Sequence, residues 1–215
     1  MKAKSAREGI ALAMTGASGA QYGLRLLQCL LGAGRPVHLM LSKPALVVIG
    51  SETDEQIPGR PAEIHRHFTE RFGAAPGQLS VYGHEEWTAC VASGSGAPGA
   101  MVVCPCSMAT LSSIAVGASR SLIERAADVM LKERRTLILV PRETPFSAIH
   151  LRNMLMVTEA GGLILPANPG FYHQPRQVGD LVDYIVARVL DHLGIEQRLM
   201  PRWGEEPESS ATPAP

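Results

Sequence analysis

IALAMTGASGAQY, residues 10–22, decides the fold. Ile10 to Met14 form an apolar run, which reads as a buried first strand. Thr15-Gly16-Ala17-Ser18-Gly19 is a turn of small residues, and a helical pattern starts at Ala20. Such a turn aims backbone N–H groups and a hydroxyl at one spot. The start of the following helix adds partial positive charge there, which suits a phosphate. Two readings stand side by side for this stretch alone. The turn holds the phosphate end of a mononucleotide cofactor, or its small residues merely let helix and strand pack closely.

Outward from this stretch, strand and helix patterns alternate. Ala20 to Gly34 is helical, with Leu24, Leu27 and Leu31 three or four apart. Val37 to Leu41 reads as a second strand and Lys43 to Ile49 as a second helix, with Ser51-Glu52-Thr53-Asp54 after it. A short helical piece spans Ile64 to Phe72, and Leu79 to Tyr82 is a third strand. Ala100 to Cys104 is a fourth strand, followed by a helix to about Val116. Ser121 opens another helix, with Glu124 at capping-box distance. Thr136 to Val140 and Gly161 to Pro166 are further strands, with a helix over Ser147 to Ala160 between them. Val178 to Leu193 is a last amphipathic helix. This predicts an α/β three-layer sandwich, a Rossmann-like or flavodoxin-like parallel sheet with helices on both faces. One domain over residues 1–204 is expected, with 205–215 a flexible tail poor in apolar residues.

The chain has 215 residues, with 20 Lys plus Arg against 20 Asp plus Glu. Zero net charge argues against broad nucleic-acid binding, though not against a local cluster of arginines. Thr88 to Ser119 carries no charge and is long enough to span a bilayer. Pro98, Pro105, its glycines and its many hydroxyl residues argue instead for a buried loop, strand and helix. The N-terminal MKAKSAREG is basic but has no apolar core of signal-peptide length. Cys29, Cys90, Cys104 and Cys106 form no CxxC pair and have no histidines at zinc spacing. Reduced thiols in a cytoplasmic protein are expected.

In a doubly wound sheet, ligands bind beyond the carboxyl ends of the strands. That edge gathers Thr15 to Gly19, Ser42, Pro105 to Thr110 and Pro141 to Pro145. Their hydroxyls and small groups suit the ribityl and phosphate parts of a flavin mononucleotide. No GxxxxGK[ST] is present, and Ser42 stands where a dinucleotide site needs an acid. Arg142-Glu143 puts two charges between prolines directly after an apolar strand. Arg125 and Lys132 are seven apart, about two turns at roughly 3.6 residues per turn, and share a helix face. Taken alone, that pair reads better as a solvated basic stripe, and so does Arg188. Tyr172 reads as a lid or as loop packing, Trp87 as core or as a wall against a ring system, and Glu52 as a cap or surface carboxylate.

TGASGAQYGLRLL, PCSMATL, ERAADVMLKE, LVPRETPFSAIHLRNML and the Phe171-Tyr172 loop together resemble the flavin prenyltransferase (UbiX) family. The resemblance runs from about Ile10 to Trp203. It implies transfer of a dimethylallyl group from dimethylallyl phosphate to reduced FMN, without a metal. It also implies a homo-oligomer, usually a dodecamer, whose product, prenylated FMN, serves a UbiD-type decarboxylase, as in ubiquinone biosynthesis. Carried over residue by residue, Gly16, Ala17, Ser18, Ser42, Ser107, Met108, Ala109, Thr110 and Arg142 match the flavin contacts. Arg125, Lys132, Glu143, Tyr172 and Arg188 match the prenyl-phosphate site. Trp87 matches an aromatic wall, and Ser18 with Glu52 a pair near flavin N5. The resemblance thus predicts that cations converge beside the flavin, within one chain or across a subunit interface. Two other classes compete: a flavin-dependent decarboxylase of the same fold, and a flavodoxin-type electron carrier.

Overall fold

The computed structural model describes residues 9–200. Its strands are β1 (Ile10–Met14), β2 (Val37–Leu41), β3 (Leu79–Tyr82), β4 (Ala100–Cys106), β5 (Thr136–Pro141) and β6 (Leu163–Ile164). They form one parallel sheet in the order β3-β2-β1-β4-β5-β6. The helices are α1 (Ala20–Gly32), α2 (Lys43–Glu52), α3 (Pro61–Phe72), α4 (Met108–Ala115), α5 (Leu122–Lys132), α6 (Ala148–Glu159) and α7 (Val178–His192).

The sheet is apolar on both faces because helices cover both. Leu12, Met14, Leu39 and Ile138 pack into one core with Leu27 of α1 and Val186 of α7. Ala11, Ala13, Val103 and Leu139 pack into the other with Ala126 and Met130 of α5. All six strands of β1 to β6 were anticipated, and the uncharged segment 88–119 supplies the central strand β4 rather than a membrane span. Among the described residues no helix is long and apolar enough to cross a membrane. The tail at 205–215 lies outside the described residues.

Three local expectations are corrected. Helix α2 runs three residues beyond Ile49, because Thr53 N–H and Oγ1 both donate to the Ile49 carbonyl, at 3.0 and 2.7 Å, and close a further turn. Strand β6 is shorter than Gly161 to Pro166. Leu165 and Ala167 still donate to β5, but Pro166 between them has no N–H, and regular pairing ends at Ile164. The capping box at Ser121 is half made. Ser121 accepts from Glu124 N–H at 3.3 Å, while the Glu124 carboxylate takes the N–H of Arg120 instead.

The strands are added outward in one direction from β1 and in the other from β4, which makes the junction between them the switch point of the sheet. The turn after β1 is held close to α2. A Cβ on Gly16 would stand 2.5 Å from Pro44 Cβ. Gly19, with φ 104°, starts α1 from the left-handed region. The close-packing reading of this turn therefore holds at Gly16. Gly16→Ala forces the turn off α2 and is expected to cost about 1–3 kcal/mol, the usual range for overpacking. A lower Tm in calorimetry is the check.

Candidate active site

The carboxyl edge at the β1/β4 junction is knitted by one buried hydroxyl. Thr15 Oγ1 donates to the Pro105 carbonyl at 2.9 Å and accepts from Ser107 N–H at 2.8 Å. Thr15 N–H also donates to Pro105, at 3.1 Å. These bonds fix the turn after β1 against the turn after β4. Ser107 then caps α4, accepting from Thr110 N–H at 3.3 Å, with the two hydroxyls 3.1 Å apart. Ser42 caps α2 in the same way, through Ala45 N–H at 3.2 Å. A capping hydroxyl accepts from its helix and keeps its own proton to donate. Ser42 and Ser107 thus each present a donor where a helix dipole begins.

The start of α1 is different, and the expectation for it is corrected. Glu52, in the last turn of α2, places Oε2 2.8 Å from Gly19 N and 2.9 Å from Ala20 N. The N–H groups expected to meet a phosphate serve the protein's own carboxylate. Burial pushes the Glu52 carboxyl up. Hydrogen bonds from Ser18, Ala20 and Gly19, with the Arg142 cation nearby, outweigh burial and hold it below the usual glutamate range. Arg142 Nε donates to the Ser18 carbonyl at 3.3 Å, and Arg142 N–H to the Cys106 carbonyl at 3.4 Å. Ser18, Glu52 and Arg142 form one cluster.

Gly16, Ala17, Ser18, Ser42, Glu52, Ser107, Met108, Ala109, Thr110 and Arg142 are thus brought to one edge, although they are spread over the sequence. Glu143 follows Arg142 on the same loop, and its Oε1 accepts from Thr144 N–H at 3.1 Å. Trp87 lies in the loop that leaves β3 and is 48% exposed. That loop is tied to the start of α5 by Leu122 N–H donating to the His84 carbonyl at 2.9 Å.

The cations are not brought there within one chain. Lys132 is the last residue of α5, just before β5 begins at the opposite edge. Six strand residues at about 3.3 Å each put it roughly 20 Å from the Arg142 loop. It pairs with Glu133 at 2.5 Å. Arg188 lies one turn before His192, which lines a cleft at the amino edge with Gly99 and Thr136. It pairs with Asp191 at 2.9 Å. Arg125 stands near the start of α5, but its guanidinium is engaged. Nε donates to the Ala92 carbonyl at 3.1 Å and Nη1 to Asp128 at 2.8 Å. Tyr172 is 81% exposed on the loop before α7. Convergence within one chain fails because α5 and α7 run antiparallel to the strands, so residues late in them end at the wrong edge.

All four cysteines are free thiols. Burial pushes Cys106 up to about 12 and raises Cys104 as well. Neither is poised as a thiolate nucleophile.

A hydroxyl-lined switch point with an arginine and an internally capped helix defines a nucleotide-type cofactor site in a doubly wound fold. The Flavoprotein family matches residues 1–190. Flavin prenyltransferase UbiX of Pseudomonas aeruginosa is 60% identical over 202 residues, 94% of this chain and 97% of that protein. The crystal structure of AnUbiX (PadA1) in complex with FMN and dimethylallyl pyrophosphate superposes with a TM-score of 0.82 at 42% identity. It covers 94% of this chain and 100% of that one. The dodecameric FMN-dependent UbiX-like decarboxylase of Escherichia coli O157:H7 gives a TM-score of 0.79 at 39% identity, over 92% and 100% of the chains. This chain belongs to the flavin prenyltransferase (UbiX) family.

Thr15 is a structural determinant that its apolar neighbours hide in the sequence. Thr15→Val keeps the shape but leaves Ser107 N–H unpaired, at a cost of about 1–3 kcal/mol for a buried donor. Weaker flavin binding in a fluorescence titration is expected, with Thr15→Ser restoring it. Glu52 adds a pH prediction. Its folded carboxyl titrates below the unfolded one, so its stabilisation is present above the ordinary value, about 4.3, and lost as pH falls through the lowered folded value. Melting temperatures of Glu52→Gln and wild type should converge at acid pH and separate toward neutrality.

Proposed function

We propose that this chain transfers a dimethylallyl group from dimethylallyl phosphate to reduced FMN. The carrying observation is the match, over nearly all of both chains, to a structure that holds FMN and a dimethylallyl pyrophosphate. The donor set fits the group: Ser18, Ser42, Ser107 and Thr110 offer hydroxyls, and Arg142 a cation, around the switch point. These residues, with Gly16, Ala17, Met108 and Ala109, hold FMN. Ser42 and Ser107, at the starts of α2 and α4, would hold its phosphate, since Glu52 fills the start of α1. Reduced FMN, when bound, supplies the nitrogen and ring carbon that take up the prenyl group.

The chain's own residues handle charge and protons. The allylic C–O bond breaks, and phosphate leaves as positive charge builds on the prenyl carbon. Lys132, Arg125 and Arg188 neutralise the departing phosphate. Glu143 passes a proton to a phosphate oxygen. Trp87 offers a π face to the allyl cation, worth roughly 0.5–2 kcal/mol in comparable cation–π pairs. Ser18 and Glu52 carry away a proton through the Ser18 hydroxyl. Tyr172 closes over the donor and excludes water.

Because Lys132 and Arg188 stand away from the β1/β4 edge, the site is completed by neighbouring subunits of a homo-oligomer, a dodecamer. Ile149, Leu151, Leu155 and Met156 on α6 are exposed, and apolar side chains of that kind suit burial against another copy. One catalytic unit spans residues 1–204. The enzyme works in the cytoplasm, and its product passes to a UbiD-type decarboxylase, as ubiquinone biosynthesis requires.

Anaerobic incubation with reduced FMN and dimethylallyl phosphate should raise the extracted flavin's mass by one prenyl unit. An unchanged flavin mass would sink the transferase reading. Glu143→Gln should lower kcat by about 10²- to 10⁴-fold, the usual worth of a general acid. Co-expression of Glu143→Gln and Lys132→Ala subunits should recover part of the activity that each lacks alone. Failure to complement would place both residues' work within one chain.

A further inference from the structure

The loop that carries Tyr172 is built around a single ring. Gly170 is pressed against Tyr184 of α7, where an added Cβ would stand 3.1 Å from Cε2, Cζ and Oη. His173 stacks on the same ring, with centroids 5.6 Å apart and planes 16° apart. Gln174, in the left-handed region at φ 51°, closes the turn by donating its N–H to the Phe171 carbonyl at 3.0 Å. Tyr184 thus grips the loop on both sides of Phe171-Tyr172, and those two side chains stay exposed.

Both ring nitrogens of His173 are buried, and among the described residues neither has a hydrogen-bond partner. A histidine kept for proton transfer or anion binding presents a nitrogen to its target. This one lays its flat face on Tyr184, with the Asp180 carboxylate nearby but not hydrogen-bonded to it. Tyr184 precedes Arg188 by four residues, one turn and about 6 Å along the helix axis. The grip therefore holds the loop that carries Tyr172 on the face of α7 that carries Arg188 one turn further on.

We propose that His173 is a positioning residue for the prenyl-donor phosphate: its ring, clamped on Tyr184, holds the Tyr172 loop on the face of α7 that carries Arg188. The role rests on the reading of Tyr172 and Arg188 as phosphate ligands. His173 lies outside both core clusters, so its variants leave the core intact. In the full-length, flavin-loaded protein, His173→Ala should speed backbone hydrogen exchange across residues 169–174. It should also raise KM for dimethylallyl phosphate about three- to tenfold, the scale of one lost aromatic pair, with kcat little changed. His173→Phe keeps the stack and should match wild type in both readouts. Unchanged exchange in His173→Ala overturns the clamp. Equal losses in His173→Phe and His173→Ala overturn it too, since the nitrogens would then be in use. Faster exchange with unchanged KM would show that the ring holds the loop while Tyr172 does not serve the phosphate, and the positioning role would fall with that reading.

Discussion

The site depends on the bond between Thr15 and the turn after β4. A parallel sheet whose strand order reverses between β1 and β4 leaves a crevice where two helices diverge. Left to itself, that crevice would expose backbone groups of two strand ends. Thr15 spends both capacities of its hydroxyl there, donating to Pro105 and accepting from Ser107. The bond sets where α4 starts, hence where the Ser107 and Thr110 hydroxyls stand. A buried hydroxyl with both roles filled rigidifies, whereas a half-filled one is a liability.

Glu52 solves the companion problem at the start of α1. An uncapped helix start at a ligand edge attracts any anion, including solvent phosphate. Filling it with a carboxylate from α2 removes that competition and places an acceptor beside Ser18. Arg142 balances the charge from the other side. The result is a near-neutral pocket, polar by hydroxyls rather than by net charge. That suits a flavin ring better than a cluster of bare cations.

The apolar run of β1, ended by Thr15-Gly16, made its boundaries readable, because a fully covered parallel strand has no polar face to blur it. Convergence at the carboxyl edge followed from topology alone. What stayed hidden was tertiary. The Glu52 cap joins residues 33 and 32 apart in sequence, and nothing local marks it. The Gly16 approach to Pro44 looked the same as a phosphate turn, since both need a missing Cβ. Lys132 and Arg188 were matched by motif to one site, yet their places late in α5 and α7 already implied the opposite edge. The grip of Tyr184 on Gly170 and His173 leaves no periodic signal at all.

Charge separation gives a physical reason for dividing the proposed site among subunits. Three cations gathered in one pocket repel one another. At a separation of about 6 Å and an effective dielectric near 20, each pair costs roughly 3 kcal/mol before any anion arrives. In the single chain that cost is absent, because the cations stand apart, and each also rests on its own carboxylate: Arg125 on Asp128, Lys132 on Glu133, Arg188 on Asp191. A neutral chain can then fold without strain from its future active site. In the proposed oligomer, assembly would bring the cations together, and the donor phosphate would offset the repulsion. On this reading the affinity for the phosphate is built by oligomerisation, and a free subunit keeps a flavin pocket but has no anion clamp.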